Sequence, residues 1–231
     1  MAYVKDKWML GKNPDINIYE DVHSAAGWYR RKKRSKGTAV NHVLKHNAKN
    51  KKPALAAADR ILAKLNEWTR GLQLHNVRMT MSGRLIKRLN ETEDVDYKYM
   101  PDIEIQPYKP LSALLKSPYR VDLEKEQVVI TIDLTGRNIE LKNSIATDYF
   151  FDAIILWGDP MKEKSLRVND VESKLYAIKS KEDETCVLSL DLPVKKEPWL
   201  VLLKVSCLEG NEYAINARHY GMKVVGVSVG E

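Results

Sequence analysis

The segment Pro53–Met81 reads PALAAADRILAKLNEWTRGLQLHNVRMTM and is the stretch in which a long helix pattern passes directly into a strand pattern. Its first part predicts a helix of about five turns that starts at Pro53, a suitable first helical residue, and ends near Gly71. Its last five residues, VRMTM (77–81), alternate apolar and polar side chains and so predict a half-buried strand. The helix carries an apolar stripe formed by Leu55, Ala58, Leu62, Leu65 and Leu72.

This apolar stripe needs a partner, because a Leu- and Ala-rich face is unfavourable in water. The sequence around it predicts a short helix at Thr38–Asn47, a basic turn at Lys49–Lys52 and a second strand at 84–89. After an acidic connection, residues 102–116 predict a short strand, a proline-bounded turn and a closing helix at Leu111–Leu115. We expect either a partner helix or a second subunit to cover the stripe.

The charge of the chain is divided unevenly along its length. Residues 1–90 hold 20 basic and 6 acidic side chains, whereas residues 91–231 hold 18 and 25. No carboxylate occurs between Val22 and Ala58, although ordinary solvated charge runs contain both signs. A polyanion, most simply nucleic acid, is the expected partner, while an anionic membrane surface, an acidic protein or a subunit contact would also satisfy the charge. The predicted nucleic-acid-binding residues are Arg30, Arg31, Lys32, Lys33, Arg34, Lys36, Lys45, Lys49, Lys51, Lys52, Arg84, Lys87 and Arg88.

The second half of the chain is a series of strand patterns separated by turns. These runs are rich in β-branched and aromatic residues, and turn signals such as Thr135-Gly136 and Gly210-Asn211 separate them. Six or so short strands at this spacing predict an antiparallel β-sandwich of immunoglobulin-like type. The predicted strands are 127–134, 150–157, 174–179, 185–192, 199–208 and 222–229.

The order of predicted elements in residues 38–117, and the closing run IEIQPYKPLSALL (103–115), resemble the HU and integration-host-factor family of DNA-architectural proteins. The resemblance implies an α+β fold with an intertwined dimer, in which the helices of two subunits share one core. The expected organisation is an extended basic arm at 1–37, an HU/IHF-like domain at 38–117, and an immunoglobulin-like β-sandwich at 118–231.

The chain departs from this family in the segment that would bind DNA. The family inserts the proline of an Arg-Asn-Pro tip into the minor groove, and no Arg-Asn-Pro occurs in this chain. The corresponding connection is short and acidic, with Glu91, Glu93, Asp94 and Asp96. We therefore expect little DNA bending.

Common catalytic patterns are absent from the sequence, which contains no GxxxxGK[ST], GxGxxG or GxSxG. His42 and His46 lack the HEXXH context, so no metal site, cofactor or small-molecule substrate is predicted, and the protein is expected not to be an enzyme. Cys186 and Cys207 are expected to be buried free thiols. No run is long enough to span a membrane and no signal peptide is evident.

Two functions are consistent with these patterns. The first is an HU/IHF-like architectural DNA-binding protein in the cytoplasm, associated with the nucleoid, whose immunoglobulin-like domain mediates interactions. The alternative is a structural protein of a phage virion or similar particle, in which the HU-like fold builds a ring or collar. The acidic connection favours the alternative, and the one-sided basic charge favours the first. Self-association as a dimer or ring is expected in both cases.

Overall fold

In a computed structural model of the 231-residue chain, the described residues combine three α-helices with antiparallel sheets and are mostly β. Side chains are described only from residue 47 onward. The residues that the structure describes are 16–20, 28–32, 42–74, 76–92, 95–136, 138–141, 144–162, 164–180, 182–193, 197–210 and 212–228.

Two compact units divide the chain, Met1–Lys45 and His46–Glu231. In the first unit, strands β1 (Ile16–Glu20) and β2 (Trp28–Lys32) form an antiparallel hairpin in which Ile18 is opposite Arg30. Arg30, Arg31 and Lys32 of the predicted binding residues therefore lie on β2. The other three residues of that basic run, Lys33, Arg34 and Lys36, lie outside the described residues.

Helix α1 (His42–Lys64) joins the predicted short helix and the predicted long helix into one element. The separate basic turn at Lys49–Lys52 was a wrong prediction, because Asn and Lys continue a helix and Pro53 is accommodated inside it. The helix also ends at Lys64, earlier than predicted, and hydrogen-bonded turns continue to Gly71. Gly71 has φ of 81°, a left-handed conformation that suits glycine.

The strands predicted at 77–81 and 84–89 were wrong, because α2 (Val77–Leu89) is a single helix. Its buried side chains include Val77, Met81 and Leu85, which recur every four residues along one helical face. The five residues VRMTM alternate apolar and polar side chains by coincidence. The helical period is visible only over the full run of residues 77–89. A Cβ at Gly83 would meet nothing within 4 Å, so this glycine interrupts no packing.

The segment after α2 leads to α3 (Leu111–Leu114), which confirms the predicted closing helix. The short strand predicted just before it is reduced to an isolated bridge between Glu104 and Lys223. Hydrogen bonds from the amides of Asp102 and Ile105 to Val224 and Met222 still align this segment beside the last strand.

The strands of the second unit form two antiparallel sheets. The small sheet has the order β3-β4-β8, and the large, six-stranded sheet has the path β10-β9-β5-β6, with β11 paired to β9 and β7 paired to β5. The predicted strand 127–134 matches β4. The predicted strand 174–179 is shorter in the structure, where it is β7. The bounds of each of the other predicted strands differ by at most two residues from those of an observed strand. Strands β3, β6 and β10 were not predicted. The bounds are β3 (Tyr119–Glu124), β4 (Gln127–Leu134), β5 (Asp148–Trp157), β6 (Arg167–Glu172), β7 (Tyr176–Ala177), β8 (Glu184–Asp191), β9 (Trp199–Glu209), β10 (Glu212–Tyr213) and β11 (Tyr220–Val227).

Strands β5 and β9 are covered on both faces, which explains why they read as continuous apolar runs. On one face, Phe151, Ala153 and Ile155 pack with the small sheet in a first hydrophobic core. On the other face, the alternate residues Ile154 and Leu156 pack with the helices in a second core. The large sheet is thus the middle layer of the unit.

The second core crosses the boundary that the sequence predicted near residue 117. It joins helical residues such as Ala58, Ile61 and Leu65 to strand residues such as Leu202 and Val224. Residues 46–231 accordingly form one compact unit, which differs from the predicted division at 117/118. The apolar stripe of α1 finds its partner in the sheet of the same chain, so the stripe no longer argues for a second subunit.

Candidate nucleic-acid interface

Helices α1 and α2 lie antiparallel and form what we call the helical layer. Near one end, the side-chain amide of Asn50 donates to the carbonyl oxygen of Leu89 at 3.3 Å and to Oδ1 of Asn90 at 2.8 Å. Toward the other end, Arg78 of α2 holds Asp59 of α1 in a two-pronged ion pair, with Nη2 2.7 Å from Oδ2. These contacts fix the two helices side by side, with their apolar faces on the large sheet.

The outer face of the helical layer is strongly basic. Residues 47–90 contain ten Lys and Arg residues but only two carboxylates, Asp59 and Glu67. Arg78 already neutralises Asp59, and its hydrogen bond lowers the pKa of this carboxyl, which therefore stays charged. The exposed basic residues on the outer face are Lys49, Lys51, Lys52, Lys64, Arg70, Arg78, Arg84 and Lys87.

Besides Lys87, which contacts Tyr99 of the segment after α2, four of the predicted binding residues are exposed on this layer: Lys49, Lys51, Lys52 and Arg84. Long basic side chains that point into water can reach phosphates without an additional desolvation cost. The structure therefore makes these four residues available as a group, although no sequence motif joins them.

The remaining two predicted residues of α2 are engaged by the segment that follows it. Arg88 is only 15% exposed, and its Nη2 lies 2.7 Å from Oδ2 of Asp96. The ammonium of Lys87 lies 3.8 Å from the ring centroid of Tyr99, a cation–π contact. Tyr99 donates a hydrogen bond to Glu91, which lowers the pKa of that carboxyl. The acidic connection thus neutralises the C-terminal end of α2.

A shallow groove of about 420 Å³ runs between the two helices, beside the Asp59–Arg78 pair. Lys51 and Lys52 line one side of it, and Leu55 contributes an apolar wall. A charged rim over an apolar floor suits the sugar–phosphate backbone, since the sugars are partly apolar.

A second basic depression, of about 450 Å³, was not predicted from the sequence. Arg60, Lys64 and Lys164 line it, so its charged lining is entirely basic. The guanidinium of Arg60 is held in place by the carbonyl oxygens of Pro160 and Met161, both at 3.1 Å. The spacing of Arg60 and Lys64 on one helical face was visible in the sequence, but Lys164 is distant along the chain and only the fold brings it near.

Side chains before residue 47 are outside the description, which includes Lys45, His42 and His46 on α1. Among the described residues, no group of three or more His, Cys, Asp or Glu side chains could hold a metal ion. The described part of the chain also contains no helix with both the length and the apolar character required to cross a bilayer. Comparisons with protein-family models, curated proteins and solved structures find no match for this chain.

Proposed function

We propose that this protein binds duplex nucleic acid through the outer face of the helical layer, by contacting phosphates rather than by reading bases. The observation that carries the proposal is the excess of ten basic over two acidic side chains in residues 47–90. This excess lies on the solvent side of a layer whose other side is fixed to the sheet.

The geometry favours a phosphate track over a specific base-reading site. Lys49, Lys51 and Lys52 are flexible point charges on a helix surface, and such residues position a duplex without distinguishing its sequence. Arg84 extends the charge onto α2, which lies antiparallel to α1. A basic surface without a base-reading motif suits weak, salt-sensitive binding along a backbone.

An architectural role of the HU/IHF type remains part of this proposal, supported by the basic charge and the closing helix. The helical conformation of 77–89 weighs against a detailed HU-like core, and the wedge-bearing arm is missing from the sequence. We further infer that the two packed sheets are an immunoglobulin-like sandwich, supported by their antiparallel pairing and shared core. Little bending of the DNA follows from the absence of the wedge.

A particle-assembly role is the second candidate, and one feature of the small sheet favours it. Strands β3 and β8 are the outer strands of that sheet within the described residues. Both carry exposed apolar side chains, Leu123 and Val187, which are 66% and 58% exposed. Edge strands of this kind can add a strand from another subunit.

The test is duplex binding by the full chain, measured by fluorescence anisotropy over a series of salt concentrations. Changing Lys49, Lys51 and Lys52 together to Gln should reduce the slope of log affinity against log salt by about 2.7, roughly 0.9 per phosphate contact. The loss of affinity should be similar on unrelated duplexes. Replacing the six residues Arg30, Arg31, Lys32, Lys33, Arg34 and Lys36 by Ser measures the N-terminal contribution, for which the full expected change is about 5.

The matched control removes the same charge elsewhere, by changing Lys116, Arg120 and Lys179 to Gln. These residues are exposed and lie outside the helical layer. The control should change the slope far less, because only contacts within the binding surface release counterions. An equal effect of the two triple variants, or wild-type protein that shows no salt-dependent binding, would refute the proposal and leave particle assembly as the better candidate.

A further inference from the structure

Three side chains that are far apart in the sequence meet at one end of the large sheet. The hydroxyl oxygen of Ser144 lies 2.9 Å from Nε2 of His219, and Nδ1 of the same imidazole lies 3.2 Å from Oε1 of Glu209. The two ring nitrogens thus face a hydroxyl on one side and a carboxylate on the other. We call this group the Ser144–His219–Glu209 triad.

Each member of the triad is positioned by the backbone of the large sheet. Ser144 precedes β5, and the amide of nearby Thr147 bonds the carbonyl of Leu208 on β9 at 2.9 Å. Glu209 is the last residue of β9. His219 ends a 3₁₀ turn, Ala217–His219, that leads directly into β11.

The turn that carries His219 is held by three further hydrogen bonds. The amide of His219 donates to the carbonyl oxygen of Asn216 at 2.9 Å. The amide of Arg218 donates to the side-chain oxygen of Asn216, which caps the turn. The buried Gln106 donates to the carbonyl of Ala217 at 2.8 Å. The imidazole is therefore fixed in orientation, as a general base must be.

The contacts of the Ser144 oxygen allow its hydroxyl proton to be donated to His219. The amide of Ala146 donates to the Ser144 oxygen at 3.0 Å, which leaves the hydroxyl proton available for Nε2 of His219. Nδ1 of His219 is buried and makes no hydrogen bond within the described residues, although Oε1 of Glu209 lies 3.2 Å away. The tautomer with its proton on Nδ1 is the one in which histidine can accept the serine proton.

We propose that Ser144 is a nucleophile for acyl transfer, activated by His219 as general base and with Glu209 as the positioning carboxylate. A nucleophile, a base and an orienting acid recur on unrelated folds and are recognised by geometry and not by sequence order. Ser144 is half-buried while His219 is only 6% exposed, so the nucleophile is reachable and the base is shielded. The site is separate from the helical layer.

The chemistry that this geometry supports is the hydrolysis of a carboxylic ester. The Ser144 oxygen forms a bond to the carbonyl carbon while its proton moves to Nε2 of His219, and the bond to the alkoxy oxygen then breaks as that proton passes to the leaving alcohol. Water then attacks the acyl carbon while its proton moves to Nε2 of His219, and that proton passes to the Ser144 oxygen as the acyl–serine bond breaks and the carboxylic acid leaves.

The loops that carry the triad indicate an apolar acyl group. Ile145 directly follows Ser144 and is 76% exposed. Ile215, four residues before His219, is 95% exposed, and Tyr213 at the end of β10 is 60% exposed. Large apolar side chains held in water beside a nucleophile suit a short aliphatic acyl chain over a charged one.

The test treats the full chain with p-nitrophenyl butyrate and, separately, with a fluorophosphonate probe. Peptide mapping should place the phosphonyl adduct on Ser144, and Ser144→Ala should abolish both the adduct and ester turnover. His219→Asn should slow labelling by about 10²–10⁴-fold, the usual contribution of a general base. Glu209→Gln should slow it less, because Glu209 acts through His219.

The matched control is Ser189→Ala, which removes an exposed serine on β8 and should leave labelling unchanged. Circular dichroism melts of each variant separate loss of the site from loss of the fold. An unlabelled Ser144 in wild-type protein would overturn the proposal whatever the variants do, and so would labelling of Ser144 that a folded His219→Asn variant leaves undiminished. In either case the three side chains form only a structural hydrogen-bond network.

Discussion

The helical layer and the small sheet cover opposite faces of the same large sheet, and they differ most on their outer sides. Inward, both present close-packed apolar residues, such as Ile61 and Leu65 from the helices and Ile130 and Leu188 from the small sheet. Outward, residues 47–90 carry ten basic and two acidic side chains. Strands β3, β4 and β8 together carry one basic and five acidic side chains.

This comparison separates what folding requires from what it leaves free. Burial of the large sheet requires apolar cover on both faces, and helices or strands can supply it equally well. Burial of the large sheet does not determine the sign of the charge on the outer side of each cover. That charge can therefore be suited to a binding partner. The opposite charges on the two covers are the pattern that motivates our proposal that the basic helical layer binds a polyanion.

The largest expected effect follows from removing one cover entirely. A fragment from Tyr119 to Glu231 would expose the second core on the large sheet, which includes Ile154, Leu156, Leu200, Leu202, Met222 and Val224. At about 1.5–3 kcal/mol for each buried side chain, the loss is of order 10 kcal/mol, comparable to the whole stability of a domain. We expect this fragment to be unfolded or aggregated in circular dichroism and light scattering, whereas a fragment from His46 to Glu231 should fold. A soluble, cooperative melt of the shorter fragment would show that the two covers are independent.

A smaller effect is expected when one buried contact of the helical cover is weakened. Ile61→Ala should reduce the free energy of unfolding by about 2–5 kcal/mol, because Ile61 is fully buried between α1 and the sheet. The adjacent Leu62 is only half-buried, so Leu62→Ala should cost roughly 1 kcal/mol and serves as the control. Urea denaturation followed at two wavelengths measures both values. Equal losses of unfolding free energy for the two variants would mean that the helical layer does not pack on the large sheet as described.

The smallest expected effect is on the pH dependence of stability, which a titrating group in one of the two cores should change. The core between the sheets contains Cys207, and burial raises the pKa of its thiol from 9.0 to about 12. The folded protein then keeps this proton while the unfolded chain loses it, so stability is complete below about pH 9 and declines toward pH 12. Cys207→Ala should make the alkaline decline shallower in urea melts.

The same burial predicts how the thiols react. The structure shows both Cys186 and Cys207 as free and buried, which confirms the sequence prediction. A thiol reagent at about pH 8 should therefore label neither cysteine in native protein and both in denatured protein. Rapid native labelling of Cys207 would contradict the sealed core between the sheets.

The long, mostly buried strands of the two sheets were the most predictable part of the fold. Residues 127–134 and 199–208 are long β-branched or apolar runs bounded by turn residues, and both became strands. The runs YRVDLE and RVNDVE were missed as β3 and β6, because their alternation is weakened by charge at exposed edges. The helix at 77–89 was missed because the alternation of its first five residues was given more weight than the helical period of the full thirteen-residue run.

The candidate sites divide in the same way. The sequence was sufficient to predict Lys49, Lys51, Lys52 and Arg84, because the positive charge of a Lys or Arg side chain does not depend on the fold. The engagement of Arg88 by Asp96 could not, since it depends on the connection turning back on α2. The Ser144–His219–Glu209 triad has no sequence signature at all, because its members come from three separate segments.

The sequence by itself determined the uneven charge, the apolar runs of β4, β5 and β9, and the helical stripe that needed cover. These are local properties, set by residue identity and by the periods of helix and strand. Only the tertiary structure decided what covers the stripe, because many apolar surfaces could have done so and the large sheet of the same chain is the one that packs there. It also decided which distant polar groups meet, since strand register alone brings the ends of β5, β9 and β11 together.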